Sequence, residues 1–504
     1  MDHHRRAVGT IAAAVRQFFD KKEPYRVFKG STNSTRPDQK GRTIDISALN
    51  NIVNINRESR TAFVEPNVPM DRLVEATLKH GLIPPVVMEF PGITAGGGYA
   101  GTAGESSSFK HGYFNETIEK VEMVLGNGEI VQASRTERPD LFKGAAGAAG
   151  SLGLTTLIEL KLMDAKRYVK TTYHRANSVA EAIAIIRAQT ANEANDYVDG
   201  ILFSKDHGVI VTGQLTDEKP AAQSVQTFSA ASDPWFYLHA GDKTRSAPSS
   251  TSFSSVPIVD YIPLAEYLFR YDRGGFWVGA AAFRYFKVIP FNKFTRWLTD
   301  DFMHTRMIYR AFHGSGESAR IIAQDLGLPY STVEQFIDYT ADSFKIWPLW
   351  LCPLKRTPPP TFHPHAEGDA RNEFLNVGLW GWGPKLRPDF VAKNRELEQK
   401  LKEFGGHKWF YAHAYYDEED FWKIYGGREW YDALREKYHA TYLPTVYDKI
   451  TVKVPDADKK SETFRRSFKS RWPISGIIGL AESIKSKDYY IHRNSEWKHK
   501  PSAA

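Results

Sequence analysis

The stretch "GITAGGGYAGTAGESSSFKHG" (residues 92–112) holds seven glycines. Glycine costs the most chain entropy to order, so this density is expected where backbone must approach another group closely or adopt positive φ. The stretch lies between a helix-like segment that ends near Gly81 and a hairpin that turns on Asn127-Gly128. It therefore belongs to a folded domain rather than to a linker, and the sequence predicts that a ligand lies against it.

Length and composition limit the class of protein. The chain has 504 residues, of which 42% are hydrophobic, so it can form two or more globular domains. Its single cysteine, Cys352, excludes an intramolecular disulfide and a cysteine-cluster metal site, and it suits a reducing compartment. We therefore expect an intracellular protein without a metal site. We also expect a short N-terminal helix over residues 1–24 and no membrane-spanning segment.

The net charge of +7 is unevenly distributed. From Lys453 to the end there are twelve Lys and Arg against six Asp and Glu, so nearly all of the excess lies in this last segment. The rest of the chain is close to neutral. This distribution argues against nucleic acid as a partner.

The pattern of elements predicts an α+β fold. A second glycine run, "GAAGAAGSLG" (144–153), leads into the strand-like "LTTLIELKLMDA". A new unit then begins with the helix "SVAEAIAIIRAQT", whose cap is Ser178, and a hairpin, which together predict an antiparallel sheet with helices on one face. From about 230 to 440 the chain is dense in aromatic residues, which suits either a core or a pocket for a large apolar ligand.

The glycine stretch also contains a dinucleotide-binding spacing. Gly96, Gly98 and Gly101 fit G-x-G-x-x-G, but the three prolines of "PPVVMEFPG" precede them where a Rossmann fold needs a buried strand. We therefore reject a Rossmann site. The alternative is an anion cradle in which "KGSTNSTRP" (29–37) and "GGGYAGTAGESSS" supply backbone N–H and hydroxyl donors to a diphosphate.

The motifs "GSTNSTRP", "GGGYAGTAGESSSFKHG" and "GAAGSLGLTTLIEL" resemble the FAD-binding domain of the vanillyl-alcohol oxidase and p-cresol methylhydroxylase superfamily. Within it, "DLFKGAAGAAGSLGLTT", "FRYDRGGFW", "WPLWLCPL" and "YLPTVYDKI" are similar to the delta-24 sterol reductase group. The resemblance implies a two-subdomain FAD-binding domain and a substrate (cap) domain. We place these at 25–165 and 166–420, with a return to the FAD domain over 421–452 and a basic extension over 453–504.

The same resemblance implies which residues hold FAD. The diphosphate would lie against Gly30 to Ser34, with the glycine stretch facing it, and the adenosine side would be reached from the second glycine run. The implied FAD-binding residues are Gly30, Ser31, Thr32, Asn33, Ser34, Gly97, Gly98, Gly101, Thr102, Ser106, Ser107, Gly112, Phe114, Gly153, Thr155 and Thr156.

The resemblance further implies the chemistry. Many relatives bind flavin covalently through a histidine, but Asn33 stands at that position here, so we expect noncovalent FAD. Reduction of an isolated alkene of a sterol or other apolar substrate, with NADPH as electron donor, requires a proton donor beside the flavin. Glu105 is a candidate, although it could equally hold the loop. Arg270 and Tyr271 could supply the acid and an anchor for a polar group, or form a structural ion-pair cluster.

Two other functions remain open at this point. An oxidase or dehydrogenase of an alcohol or secondary metabolite would use the same cofactor with a base in place of the acid. A flavin-binding scaffold is the other alternative. Bleaching of the flavin by NADPH would indicate the reductase, and bleaching by an alcohol would indicate the oxidase or dehydrogenase. No bleaching by any donor would indicate the scaffold.

The C-terminal extension combines basic, aromatic and aliphatic residues. Arg465, Arg466, Lys469 and Arg471 are followed by Trp472 and the apolar stretch 474–480, a composition typical of segments at a membrane surface. The alternative is a tail packed on the body. We expect a location in the cytoplasm or on a cytoplasmic membrane face, without the N-terminal anchor common in the sterol reductases; the sequence leaves the oligomeric state open.

Overall fold

The computed structural model describes residues 1–30, 42–250, 257–287, 289–355, 357, 360–364, 374–452 and 472–500. The strands are β1 (Arg26–Phe28), β2 (Thr43–Asp45), β3 (Ile52–Asn56), β4 (Thr61–Val64), β5 (Leu82–Ile83), β6 (Ile118–Leu125), β7 (Ile130–Ser134), β8 (Gly153–Lys161), β9 (Met163–Asp164), β10 (Tyr168–Ala176), β11 (Tyr197–Ser204), β12 (His207–Thr216), β13 (Ile258–Pro263), β14 (Ile321–Pro329), β15 (Leu349–Leu354), β16 (Phe374–Trp382) and β17 (His407–Lys408). The predicted mixture of helices and antiparallel sheets is confirmed.

The helices are α1 (Asp2–Asp20), α2 (Met70–Leu78), α3 (Ala95–Gly101), α4 (Ser108–His111), α5 (Pro139–Ala145), α6 (Val179–Thr190), α7 (Phe236–Thr244), α8 (Leu264–Leu268), α9 (Val278–Phe286), α10 (Lys293–Leu298), α11 (Thr305–Ser315), α12 (Val333–Ser343), α13 (Arg387–Glu403), α14 (Glu418–Tyr425), α15 (Arg428–Lys437), α16 (Val446–Ile450), α17 (Ile474–Ser486) and α18 (Tyr489–Arg493).

The N-terminal half is built on a five-stranded antiparallel sheet in the order β3-β4-β8-β6-β7. Its β6–β7 hairpin turns where the sequence predicts: Gly128 has φ +83°, and the Asn127 side chain accepts a hydrogen bond from the Glu129 N–H at 3.0 Å. Beside it, β1 and β2 form a parallel pair.

The glycine stretch differs from the prediction in its local structure. We expected a loop, but residues 95–101 form α3, whose first turn is capped by the Thr94 hydroxyl accepting from the Gly97 N–H at 3.2 Å. Packing explains the helix, because a Cβ on Gly96 would lie 2.6 Å from the Cβ of Pro66. The helix therefore needs glycine for close contact with its neighbours, and the helix cost of glycine is offset by that packing.

Helix α1 is fastened to the N-terminal sheet by a buried histidine. His4 Nδ1 lies 2.8 Å from the Glu65 carboxylate on the residue after β4, and its Nε2 lies 3.0 Å from Glu122 on β6. Hydrogen bonds that the His4 ring donates to the Glu122 and Glu65 carboxylates raise its pKa from 6.5 to about 9. The imidazolium is therefore the form that joins the helix to the sheet at neutral pH.

We expect this contact to weaken at alkaline pH. Because the folded-state pKa of His4 lies above its unfolded value, its contribution is complete below pH 6.5 and is lost as pH rises to about 9. At neutral pH, His4→Ala should cost the attachment of α1 about 2 kcal/mol, roughly thirtyfold in amide protection. Hydrogen exchange of residues 2–20 measures this, with exposed His3→Ala as the matched control. Equal protection in both variants would contradict the prediction.

The second half is built on an eight-stranded antiparallel sheet in the order β13-β10-β12-β11-β15-β16-β14-β17. One face packs on α6, α12 and α13 through an aliphatic core that includes Ile186, Phe336 and Leu401. The opposite face carries Trp350 and Cys352, which belong to the same core as the N-terminal half. The second face is thus turned toward the glycine stretch.

The chain then returns to the N-terminal half. Helix α15 packs on α5, where a Cβ on Gly144 would meet the Leu434 side chain at 2.5 Å. Tyr438 and Lys437 both bind the Asp140 carboxylate, at 2.7 and 2.6 Å. The boundaries of our predicted domains are not tested by these contacts, which join rather than separate the two halves.

The C-terminal extension forms two helices on the body wherever it is described. Helix α17 lies so close to α11 that a Cβ on Gly479 would meet the Ala311 carbonyl oxygen. Farther on, the Trp497 ring packs 5.0 Å from that of Phe269. The predicted basic cluster Arg465, Arg466, Lys469 and Arg471 lies outside the described residues. Among the described residues, no helix is long and apolar enough to cross a bilayer.

Candidate functional site

The end of helix α3 exposes bare backbone. Among the described residues, a Cβ placed on Gly101 would meet no atom nearer than Tyr411 at 3.9 Å, whereas one on Gly98 would lie 2.5 Å from Met88 and 2.9 Å from Phe114. Gly98 is therefore required by packing, and Gly101 is not crowded by these neighbours. A glycine that is not needed by its protein neighbours leaves room for a ligand to approach the main chain.

The loop after α3 is held against the eight-stranded sheet. The Trp409 indole N–H donates to the Thr102 carbonyl at 3.0 Å, and the Val198 N–H of β11 donates to the Ser106 carbonyl at 2.8 Å. Gly104 lies against Leu354 of β15. Residues 102–106 therefore lie between the two halves of the molecule. A ligand bound here to the N-terminal half would also contact the second half.

The remaining predicted cofactor residues have varied surroundings. Ser107 donates to the Pro85 carbonyl at 2.8 Å, and Thr156 donates to Glu122 at 2.7 Å, so both hydroxyls have protein partners. Phe114 is fully buried against Gly98. Of the other described members, Gly30 follows β1, Gly97 lies in α3, Gly112 follows α4, and Gly153 and Thr155 lie in β8; Gly30, Gly112 and Gly153 have positive φ. Ser31, Thr32, Asn33 and Ser34 lie outside the described residues.

A buried charged cluster joins the two halves. Arg270, which follows α8, pairs with Glu89 at 3.1 Å and with Asp199 of β11 at 3.0 Å. Asp199 also accepts hydrogen bonds from the Tyr271 hydroxyl at 2.8 Å and the Trp350 indole at 3.0 Å. The structure thus brings the predicted Arg270 and Tyr271 together, with the Tyr271 hydroxyl directed at a carboxylate.

Burial and neighbouring charge set the protonation of this cluster. Burial raises the pKa of Glu89 to about 8, with Arg270 opposing the shift and Asp199 adding to it. Burial and Asp199 also hold the pKa of Tyr271 well above its usual value. Burial disfavours the charged guanidinium, but Asp199 and the other neighbours keep the pKa of Arg270 above its usual range. Arg270 is thus shared between the Asp199 and Glu89 carboxyl groups. Because the pKa of Glu89 is raised to about 8, Glu89 binds a proton at neutral pH.

Two further acids, Glu105 and Asp325, lie between the two halves, and neither forms an ion pair with a cation among the described residues. Glu105 is half-buried, and its carboxyl makes no hydrogen bond to any residue in the part of the chain that the structure describes. Burial, followed by the charges of Glu89 and Asp325, raises the pKa of Glu105 well above the usual value. Burial raises the pKa of Asp325 to about 7, although Asn376 donates to it at 2.7 Å. Burial and the neighbouring acids therefore favour the protonated, neutral form of the Glu105 carboxyl.

Glu89, Asp199 and Asp325 were missed by sequence reasoning. Each is a single acidic residue within an apolar or proline-rich stretch: "VVMEFPG", "YVDGILF" and "IIAQDLGL". An acidic residue in a buried apolar segment is rarely tolerated without a partner or a function. The single acidic residue in each apolar stretch could therefore have identified these positions as candidates.

The residues at the junction suit FAD. The side of Gly101 that is uncrowded among the described residues provides the close backbone approach that a diphosphate needs, and the adjoining loop holds Glu105 beside the eight-stranded sheet. Tyr411 borders the same opening, with 37% of its surface exposed.

Comparison with known proteins identifies the cofactor. The family described as FAD binding domain matches residues 6–134, which include α3 and the five-stranded sheet's first hairpins. This chain is an FAD-dependent oxidoreductase. It is 29% identical to the delta(24)-sterol reductase of Homo sapiens over 414 residues, which cover 80% of this chain and 76% of that protein.

The plant relatives support the same relationship. The delta(24)-sterol reductase of Arabidopsis thaliana is 28% identical over 442 residues, covering 80% of this chain and 76% of that protein. Cytokinin dehydrogenase 6 of Oryza sativa subsp. japonica is 30% identical over 132 residues, 25% of each chain. The predicted resemblance to the delta-24 sterol reductase group is thus confirmed for this flavoprotein.

Proposed function

We propose that this flavoprotein reduces a carbon–carbon double bond of a sterol-like or other large apolar substrate. The similarity to sterol reductases extends over 80% of the chain, well beyond the part that matches the FAD-binding family. The observation that carries the direction of the reaction is the position of Glu105 in the loop between the two halves, where burial and neighbouring acids raise the pKa of its carboxyl. Reduction of an alkene consumes a proton, whereas an oxidase would need a base at this position.

Bound FAD supplies hydride from its N5 position. In our proposal Glu105 donates a proton to the other carbon of the double bond. Its carboxyl suits this role because burial, together with the neighbouring Glu89 and Asp325, favours its protonated form. Loss of the proton would place a further negative charge beside these acids, and the Glu105 side chain is only partly buried, so we expect reprotonation from solvent.

Arg270 and Tyr271 have supporting roles in the proposal. The Tyr271 ring stacks on Phe276 at 3.9 Å between ring centroids, and its hydroxyl is already donated to Asp199. Arg270 pairs with the Asp199 carboxylate at 3.0 Å. We propose that this pair fixes β11 and the aromatic residues beside it, so that the substrate is positioned over Glu105. The loss of either would act through position rather than through proton transfer.

Aromatic residues on the same side of the sheet suit an apolar substrate. Phe276, Trp277, Trp350 and Trp380 form a continuous cluster, with Phe276 and Trp380 at 4.6 Å and Trp350 and Trp380 at 5.9 Å between ring centroids. Phe276, Trp277 and Trp350 are buried, and Trp380 is half-buried. We propose that the accessible edge of this cluster at Trp380 contacts the substrate, with few polar groups to desolvate.

Anaerobic half-reactions test the proposal. NADPH should bleach the flavin of the purified holoenzyme, and a sterol with an unsaturated side chain should restore the yellow colour. Bleaching by an alcohol donor, with no reoxidation by any member of a sterol panel, would replace our proposal by the oxidase. A flavin that no donor reduces would indicate a scaffold.

We expect the FAD to be noncovalent. The motive is Asn33 in place of the histidine found in covalent relatives, together with the burial of Cys352, the single cysteine. Acid precipitation should therefore leave a yellow supernatant and a colourless pellet. Flavin fluorescence on the denatured polypeptide in a gel would contradict this expectation.

The organisation of the chain is also part of the proposal. We propose two FAD-binding subdomains and a substrate domain, with the boundaries given above. The five-stranded sheet, the eight-stranded sheet and the return of α15 to α5 are consistent with this arrangement. We further propose peripheral contact of the C-terminal extension with a cytoplasmic membrane face, since a sterol-like substrate dissolves in the bilayer.

A further inference from the structure

Helix α10 presents its apolar side chains to solvent. No residue of α10 is buried, and Phe294, Trp297 and Leu298 are 65%, 53% and 63% exposed. The helix is nevertheless a defined element, because Asn292 and Thr295 form a reciprocal cap at its start. Three large apolar residues on one short ordered helix are costly in water and indicate a surface that is covered by something else.

A second exposed apolar row lies on α17. Trp472, just before the helix, is 52% exposed, and Ile477 and Ile484 are 57% and 44% exposed. The opposite side of this helix is in close contact with α11 through Gly479. The exposed row is therefore the free face of a helix whose other face is already packed.

Contacts at both ends place the two rows on the same flank of the substrate domain. Before α10, the Tyr285 carbonyl accepts from the Trp472 indole at 2.8 Å, and the Tyr285 hydroxyl bonds Ser475 at 2.6 Å. After α10, Asp301 binds His492 of α18 at 3.1 Å. The segment that carries α10 is thus fastened at each end to the segment that carries α17.

The α10 segment is positively charged, whereas Asp300 and Asp301 follow it and the α17 segment carries as many acidic as basic residues over 472–488. Residues 284–298 contain Arg284, Lys287, Lys293 and Arg296 and no acidic residue. The Lys287 ammonium lies 5.8 Å from the Trp472 ring centroid, so cation and aromatic groups are interleaved. Exposed tryptophans and aliphatic residues rimmed by Lys and Arg form the composition that binds at the headgroup level of an anionic bilayer.

We propose that α10 and the free face of α17, here called the α10–α17 surface, bind this protein to anionic phospholipid membranes. The inference rests on the proposed contact of the extension with a membrane and extends it to a second element, outside the extension. It places the substrate domain, rather than the FAD-binding domain, against the lipid in which an apolar substrate dissolves. The α10–α17 surface uses only side chains that are already exposed, so membrane binding does not require the C-terminal extension to unfold.

Point substitutions test the α10–α17 surface better than removal of the tail, since Trp497 and His492 pack into the body. The holoenzyme is sedimented with phosphatidylcholine vesicles, with and without about a third phosphatidylserine. We expect binding to the anionic vesicles that falls at least about tenfold in Phe294→Ser/Trp297→Ser and also in Lys287→Ala/Lys293→Ala. Leu386→Ser, at a residue that is 66% exposed and precedes α13, is the matched control and should bind normally.

The possible outcomes distinguish failure of the proposed membrane binding from failure of the proposed reaction. Absence of vesicle binding in the wild-type protein, or equal binding by all variants, would overturn the surface. A second outcome would also contradict the proposal. If the wild-type protein is a dimer in gel filtration, does not bind vesicles, and becomes a monomer in Phe294→Ser/Trp297→Ser, then the α10–α17 surface binds a second copy of this chain. Turnover of detergent-solubilised sterol should be the same in all variants. If the wild-type protein does not turn over the sterol, the proposed reaction is contradicted, and the sedimentation result alone then shows whether the α10–α17 surface binds membranes.

Discussion

Glu105→Gln is expected to slow reduction of the double bond by about a hundredfold to ten-thousandfold, the usual range for loss of a general acid. Glutamine has nearly the shape of the protonated acid and likewise carries no charge, so the loop between the two halves should keep its conformation. The variant should retain FAD and should still be bleached by NADPH. Stopped-flow reoxidation of the reduced enzyme by a sterol measures the affected step.

The pH dependence gives a second readout for Glu105. Because burial and neighbouring acids raise its pKa, the acid is present below that pKa and is lost as pH rises through it. Wild-type reoxidation should therefore fall on the alkaline side, and the slow reoxidation of Glu105→Gln should lack that fall. Tyr271→Phe is the matched comparison, since it removes a hydroxyl bound to Asp199 and should retain the alkaline fall. An unchanged reoxidation rate in Glu105→Gln would exclude Glu105 as the donor.

Gly101→Asp is expected to abolish FAD binding at micromolar concentrations. A carboxylate at this position would face the diphosphate across the open side of α3. Two like charges about 4 Å apart repel by about 4 kcal/mol at an effective dielectric constant of about 20, which is roughly a thousandfold in affinity. The fold should be retained, because the nearest atom of the described residues to a Cβ there is 3.9 Å away. Titration of the apoprotein with FAD, followed by flavin fluorescence, measures the loss.

Two alanine variants separate charge from volume. Gly101→Ala fills the same space without a charge and should bind FAD far better than Gly101→Asp. Gly98→Ala, three residues earlier, forces its Cβ against Met88 and Phe114 and should lower stability by about 1–3 kcal/mol through overpacking. If Gly101→Asp retained full cofactor occupancy, the diphosphate would have to lie elsewhere.

Short-range predictions were confirmed where the chain itself supplies the hydrogen bonds. The turn at Asn127-Gly128 forms, and the Ser178 hydroxyl caps α6 by accepting from the Glu181 N–H at 3.1 Å. Both features depend on residues within three positions of one another, so the sequence is sufficient to specify them.

The glycine stretch shows where local reasoning fails. Its propensity favours a loop, yet Gly96 and Gly98 form a helix because Pro66, Met88 and Phe114 press against it. Those partners come from three other segments. The free energy that decides the local conformation is therefore tertiary, and propensity alone gives the wrong element.

The sequence by itself determined the α+β class, the FAD-binding motif and the candidate acid Glu105. These follow from patterns of neighbouring residues, which the chain carries with it in any conformation. The tertiary structure decided what those residues do. Arg270 meets Glu89 from 181 positions away, and Glu105 is surrounded by acids from β11, β14 and the segment before α3. A carboxyl becomes a proton donor at neutral pH only when burial and like charge disfavour its anion. Both conditions are properties of the assembled interior, so no inspection of single residues could supply them.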